Sequence, residues 1–210
     1  MEKVAIYILG CNDRACLAVI RELYKLNLSI NIVTSKGDFA SLKSKCVNRV
    51  ITLSDKDDIH EIKKQILGYA EEGSLIIPIN DYYLTLIEEF FDEFKYKYVI
   101  PYGSLKSIRM LVNKYELLMH AKGKRVATPD NILINSYQNF KELNKNEIKF
   151  PLIVKPVRSC IVQNSRIIST KVYKVTSYEQ LEMIVRLNVN LVSLLLQNYI
   201  PGYGLGVNFF

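Results

Sequence analysis

Metal, disulfide and membrane chemistry are all thinly represented in this sequence. It has two histidines and four cysteines in 210 residues. Cys11, Cys16, Cys46 and Cys160 show neither CxxC spacing nor the density of a secreted disulfide scaffold, and His60 and His120 stand apart from them. The composition therefore argues against a zinc site and predicts reduced thiols that fill core or surface. No apolar run approaches the roughly 18 residues of a membrane span. The run inside the first ten residues is too short for a secretory core, so the cytoplasm is the expected compartment and no membrane partner is expected. Basic residues exceed acidic ones, 28 to 21, for a net charge of +7. They are scattered, without a Lys/Arg block interleaved with aromatics, which disfavours nucleic acid and suits small polyanions such as nucleotides. Glycine is scarce where a dinucleotide site needs it: the loop after the first apolar run holds Gly10 alone, whereas GxGxxG needs three. A dinucleotide-dependent oxidoreductase is disfavoured on that ground.

What remains is the composition of a globular protein, 49% hydrophobic and 23% charged with mean hydropathy +0.06. One large or two small domains fit the length. Val4 to Leu9 reads as a strand, followed by a turn at Gly10 with Asn12 or Asp13 as cap, and a helix carrying Cys16, Val19, Ile20 and Leu23. Strands at Ile30 to Thr34, Arg49 to Thr52, Leu75 to Ile79 and Tyr98 to Ile100 alternate with two helices. One has Ile59, Ile62, Ile66 and Leu67 on its apolar face. The other is capped at Asn80-Asp81 and carries Leu84, Ile87, Phe90, Phe91 and Phe94. This alternation predicts a parallel, doubly wound α/β sheet. Asp81 either caps its helix or faces a ligand crevice at the strand ends.

Ser104 to Ala121 reads as a helix, kinked near Asn113-Lys114, and a polar loop with Gly123 and Pro129 follows. The second half predicts a strand at Asn131 to Ile134 and a helix capped by Ser136 with Phe140 and Leu143 inward. Arg158 to Thr170 is expected to be a mobile hairpin or loop. Beyond it come a strand from Lys171 to Val175 and a helix capped by Ser177 with Leu181, Ile184, Val185 and Leu187 inward. Strands at Leu191 to Gln197 and Leu205 to Phe210 complete the reading.

The stretch Phe150-Pro151-Leu152-Ile153-Val154-Lys155-Pro156 stands out, because an apolar strand delivers a single cation between prolines. A desolvated ammonium costs several kcal/mol unless it is paired. Lys155 is either a surface lysine at a strand end or a group aimed at an anionic ligand. In Gln197-Asn198-Tyr199-Ile200-Pro201-Gly202 an apolar strand runs out where Pro201 blocks normal pairing, leaving backbone groups to read the edge of a flat base.

These segments, with Asn113-Lys114 ahead of Gly123 and Val126-Ala127-Thr128-Pro129, make the chain resemble the ATP-grasp superfamily, and the resemblance spans nearly its whole length. It implies a Rossmann-like domain at 1–101, a helical connector at 102–125, the small α+β ATP-grasp subdomain at 126–195, and the first strands of the large subdomain at 196–210. It further implies that Lys114 and Lys155 contact ATP phosphates and that Gln197, Asn198, Tyr199 and Ile200 line the adenine. Three departures accompany it. The segment after Lys155 has no glycine-rich phosphate loop, so Arg158, Ser159 and Ser165 are the candidates to supply charge and donors there. No acid follows the base-binding link to hold a ribose. No carboxylate occurs from Leu191 onward, so Mg2+ is expected only in a longer parent. The implied function is ATP-dependent ligation of a small carboxylate to an amine or similar nucleophile through an acyl phosphate. This chain would then be an N-terminal portion with half of the ATP site, inactive by itself and prone to self-association through Leu205 to Phe210. The alternative is a non-catalytic nucleotide- or partner-binding module of the same fold.

Overall fold

A computed structural model describes residues 5–203 apart from 13, 36, 38 and 55–57. The chain forms two compact units, Met1–Val112 with Ser159–Ser169, and Asn113–Arg158 with Thr170–Phe210. In chain order the elements begin with β1 (Ala5–Leu9), α1 (Ala15–Tyr24), β2 (Ser29–Ser35), β3 (Arg49–Leu53), α2 (Ile59–Tyr69) and β4 (Leu75–Pro78). Next come α3 (Asp81–Glu89), α4 (Phe91–Lys97), α5 (Leu105–Val112), α6 (Lys114–Gly123), β5 (Asn131–Ile134), α7 (Tyr137–Lys141) and β6 (Leu152–Pro156). The hairpin β7 (Cys160–Gln163) and β8 (Arg166–Ser169) leads to β9 (Tyr173–Val175), α8 (Tyr178–Asn188) and β10 (Leu194–Asn198).

The first unit holds the expected parallel sheet, in the order β3-β2-β1-β4. Helices cover both faces, so the central strand is apolar at every position and buried throughout. Ile6, Ile8, Ile30 and Ile32 pack with Cys16 and Ile20 of α1. Tyr7, Leu9, Val33 and Ile51 pack on the other side with Ile62 and Ile66 of α2, Leu86 and Ile87 of α3, and Phe94 of α4. Local caps set the helix starts. Asp58 accepts from the amides of His60 and Glu61 at 2.9 Å, and Asn80 Oδ1 accepts from Tyr83 at 3.1 Å. The N-cap of α1 is Arg14, without a side-chain cap hydrogen bond; Asn12, an expected cap, takes the Cys16 amide on its Oδ1 at 3.1 Å instead, while Asp13, the other expected cap, lies outside the described residues.

Three elements depart from the sequence reading. The helix through Leu84 and Phe94 is two helices, broken at Phe90 (φ −116°, ψ 33°), and the break lets Phe91 and Phe94 join Leu86 and Ile87 in the core. Tyr98 to Ile100 is a single parallel bridge from Val99 to Leu75, cut short because Pro101 has no amide to extend a ladder. The kink at Asn113 is a complete break, with Asn113 extended and its Oδ1 accepting from Tyr115 and Glu116 at 3.1 and 3.3 Å.

Residues 160–169 form a docked hairpin. Asn164 (φ 50°) and Ser165 (φ 56°) both take positive φ at the turn, the requirement of the tight type I′ connection. Cys160 and Ile167 lie in the first unit's core, and the Ser165 carbonyl accepts from the Ile59 amide at 2.9 Å.

The second unit is an antiparallel sheet in the order β5-β10-β6-β9. One face, with Ile134, Leu152, Val154, Val175, Leu194 and Leu196, packs on Phe140 of α7 and on Leu181, Ile184 and Val185 of α8. Ser136 and Ser177 cap these helices, accepting from Asn139 at 3.0 Å and Gln180 at 3.3 Å. Leu187 is 68% exposed rather than inward, because at about 100° per residue it falls a quarter-turn away from the stripe of 181, 184 and 185. The strand expected at Leu205 to Phe210 lies outside the described residues. Among the described residues no helix is long and apolar enough to cross a membrane.

Candidate functional site

The placement of Lys155 follows from the pleat. Alternate residues of β6 face opposite ways, so Leu152, Val154 and Pro156 enter the helix-covered core while Ile153 and Lys155 take the other face. Directly opposed residues of antiparallel neighbours share a face. Gln197 is opposite both Asn131 and Ile153, and Ile153 is opposite Lys174. Leu195 is opposite Leu133 and Lys155. Two rows therefore cross the face away from α7 and α8: Asn131, Gln197, Ile153 and Lys174, then Leu133, Leu195 and Lys155. Together they set two cations and two carboxamides around Leu195, which is itself fully buried.

Lys155 is half-buried, and that burial pushes its ammonium below the usual 10.5. Among the described residues no carboxylate pairs with it and no side-chain hydrogen bond reaches it. Lys114, the first residue of α6, is brought close by backbone: its amide donates to the Val157 carbonyl at 2.8 Å, and the Val157 amide donates to Ser193 at 2.9 Å. The start of α6 is thus bonded to the chain two residues beyond Lys155.

The base-lining candidates separate. Gln197 is buried on the Lys155 face. Asn198, one residue on and opposite Leu152, belongs to the opposite face, where it borders a cavity of about 180 Å3 with Asp130, Lys149 and Leu196. The Tyr199 amide, expected to be free, donates to the Pro151 carbonyl at 3.2 Å, because β6 begins late enough to leave that acceptor beside the outgoing link. The Tyr199 ring lies under Lys174, with Nζ 3.8 Å from its centroid, and Ile200 is 67% exposed. The Arg158 carbonyl accepts from Thr170 Oγ1 at 2.6 Å. Ser159 belongs to the first unit as the residue that opens the docked hairpin. Lys174 was not singled out from the sequence. Its signal is the alternation Tyr173-Lys174-Val175, which sets it opposite the buried Val175.

The strand ends of the first unit are less hospitable. Gly10 ends β1 at φ +90°, where an added Cβ would meet Asn80 Nδ2 at 2.7 Å. The neighbouring cavity, bordered by Ser35, Leu53, Tyr82 and Tyr83, holds about 110 Å3, below the roughly 300 Å3 at which ligand sites begin. Asp81 is the first helical residue of α3 rather than its cap, a role filled by Asn80. Among the described residues no group of three or more His, Cys, Asp or Glu side chains could hold a metal ion. The lysines and amides of the second unit's face do not make a magnesium site.

No protein-family model matches the sequence. No curated protein matches it. Solved structures do match. The N5-carboxyaminoimidazole ribonucleotide synthetase of Thermus thermophilus aligns at TM-score 0.64 and 16% identity, over 93% of this chain and 47% of its own. The L-amino acid ligase of Bacillus licheniformis aligns at 0.60 and 15%, over 96% and 46%. The N5-carboxyaminoimidazole synthetase of Staphylococcus aureus, complexed with ADP, aligns at 0.61 and 12%, over 95% and 48%. The chain spans about half the length of these structures. Identity this low speaks for fold and not for chemistry. A parallel α/β unit and an antiparallel unit are the fold this chain shares with these solved structures, of which it covers about half.

Proposed function

We propose that the protein is an ATP-dependent ligase that joins a small carboxylate to an amine or similar nucleophile, and that these residues supply one side of its nucleotide site. The observation that carries this reading is the half-buried Lys155, which has no counter-ion among the described residues and shares its face with Lys174 and the buried Gln197. A triphosphate gives that ammonium the partner it lacks. In the reaction a carboxylate oxygen attacks the γ-phosphorus, the bond to the β-bridging oxygen breaks, and ADP departs. The amine then attacks the acyl carbon, the bond to phosphate breaks, and the proton lost by the amine goes to the departing phosphate. Lys155, Lys114 and Lys174 hold phosphate charge and are not proton donors or acceptors. Gln197, Tyr199 and Ile200 border the base, with Asn198 contributing backbone alone, and Arg158 and Ser159 lie where the chain leaves the phosphate end. Residues 1–101 are the preceding Rossmann-like domain in this reading, 102–125 the connector, 126–195 the small subdomain, and 196–210 the entry to the large one. Magnesium, which neutralises charge in phosphoryl transfer of this kind, finds no carboxylate set on this face among the described residues.

The test is Lys155→Ala in the intact protein, with ADP affinity measured by calorimetry and folding by circular dichroism. Affinity is expected to fall at least about tenfold, or about 1.4 kcal/mol. Unchanged affinity in a folded variant overturns the assignment.

A further inference from the structure

Three segments of the second unit meet at one end of its sheet: the start of β5, the end of β10 and the approach to β6. Asn131 is opposite Gln197, and Asn198 is opposite Leu152. Asp130 and Asn198 therefore come together where these strands run out, and Lys149 joins them from the segment ahead of β6. They border the cavity of about 180 Å3. Leu152 and Leu196 are its apolar floor, and Ile132, 36% exposed, with the half-buried Ile148 gives it accessible apolar wall. Its floor belongs to the helix-covered side of the sheet, opposite the face of Lys155.

The charges at the rim of this cavity are left over. Asp130 and Lys149 are of opposite sign, yet no ion pair joins them. Among the described residues no hydrogen bond engages either side chain or the Asn198 carboxamide. Elsewhere in the unit neighbouring opposite charges do pair, since Glu182 takes Lys141 and Arg186 at 2.9 Å each. An acid and a base held apart across an apolar wall match the polarity of a small zwitterion. The volume is too small for a nucleotide; at about 30 Å3 per water it holds about six atoms of that size, the number of non-hydrogen atoms in alanine. We propose that this cavity binds an α-amino acid with a small apolar side chain. Asp130 takes the ammonium, Lys149 and the Asn198 amide take the carboxylate, and the side chain lies against Leu152, Leu196 and Ile132. Exposed ion pairs are individually weak, so selectivity comes from requiring both charges at once. The inference stands apart from the nucleotide reading and does not depend on it.

Titration of the intact protein with L-alanine, followed by the amide NMR signals of Asp130, Asn131 and Asn198, tests it. Saturable shifts are expected with half-saturation at about 1–10 mM, within reach of a ligand this small. Propionate, which lacks the ammonium, and ethylamine, which lacks the carboxylate, are each expected to bind about fivefold more weakly, the worth of one exposed ion pair. Asp130 and Lys149 are both exposed, so their variants should fold, which the rest of the amide spectrum checks. Asp130→Asn is expected to weaken alanine about fivefold and leave propionate unchanged, and Lys149→Gln to weaken alanine and leave ethylamine unchanged. No saturable shift at these amides up to about 100 mM alanine, ten times the weakest expected half-saturation, overturns the proposal. Either analogue binding as well as alanine overturns it too, as do variants that weaken all three ligands alike.

Discussion

An ammonium half-buried on a protein face, with no counter-ion among the described residues, is a liability. Burial lowers the pKa of Lys155 from the usual 10.5. Between that lowered value and 10.5 the unfolded chain binds the proton better, so the free energy of unfolding rises with pH across the window. Below the window, neutral pH included, the cost is fully present. Lys155→Met is accordingly expected to be more stable than the wild type in urea at pH 7, with the gap closing as pH approaches 10.5. A variant less stable than the wild type at pH 7 would contradict this. Residue-scale chemistry also accounts for the thiols. Burial pushes Cys16 up to about 12, and Cys11 Sγ lies 2.8 Å from Ser41 Oγ. All four cysteines are free, the state read from their spacing.

Among the elements, the hairpin β7–β8 is the one whose role depends on its destination. Its alternating pattern and the Asn164-Ser165 pair are local signals of two strands and a tight turn. Nothing local shows that Cys160 and Ile167 end in the core of the first unit, beside side chains roughly a hundred residues earlier in the chain. Ile167→Ala is expected to destabilise that unit by about 2–5 kcal/mol, the range for truncating a buried Ile. Urea melts followed by tyrosine fluorescence read it. A loss under about 0.5 kcal/mol, the usual surface range, would mean the hairpin is undocked in solution. The α7–α8 pair is joined differently: Glu182 accepts from the Tyr137 hydroxyl, from Lys141 at 2.9 Å and from Arg186 at 2.9 Å. Those donors hold its carboxyl at about 2.

At the scale of the whole molecule, the chain passes between its two units at Val112–Asn113, Arg158–Ser159 and Ser169–Thr170. The first unit is thus not a contiguous stretch. A protein ending at Val112 would uncover the core where Cys160 and Ile167 pack and remove the acceptor of the Ile59 amide. It is expected to be less stable than the same unit in the full chain by about 3 kcal/mol, the worth of one or two buried apolar side chains. Equal urea midpoints would show that the hairpin contributes nothing. The net charge of +7 suits a polyanionic ligand without specifying one.

Signals of short range were enough for most elements. The parallel strands, the Asn80, Ser136 and Ser177 caps and the oddness of Lys155 were all legible, because periodicity and capping act over a few residues. Register was not legible, and register decides the candidate site. Only the pairing of β10 with β6 and of β6 with β9 sets Gln197, Lys155 and Lys174 on one face and turns Asn198 to the other. The Phe90 break likewise depends on a core that the helix does not contain. Sequence by itself determined most of the strands and helices and which cation is out of place. Tertiary structure alone decided which side chains share a surface, since strand partners and packing neighbours lie far apart along the chain and a one-residue shift in pairing reverses every side chain's face.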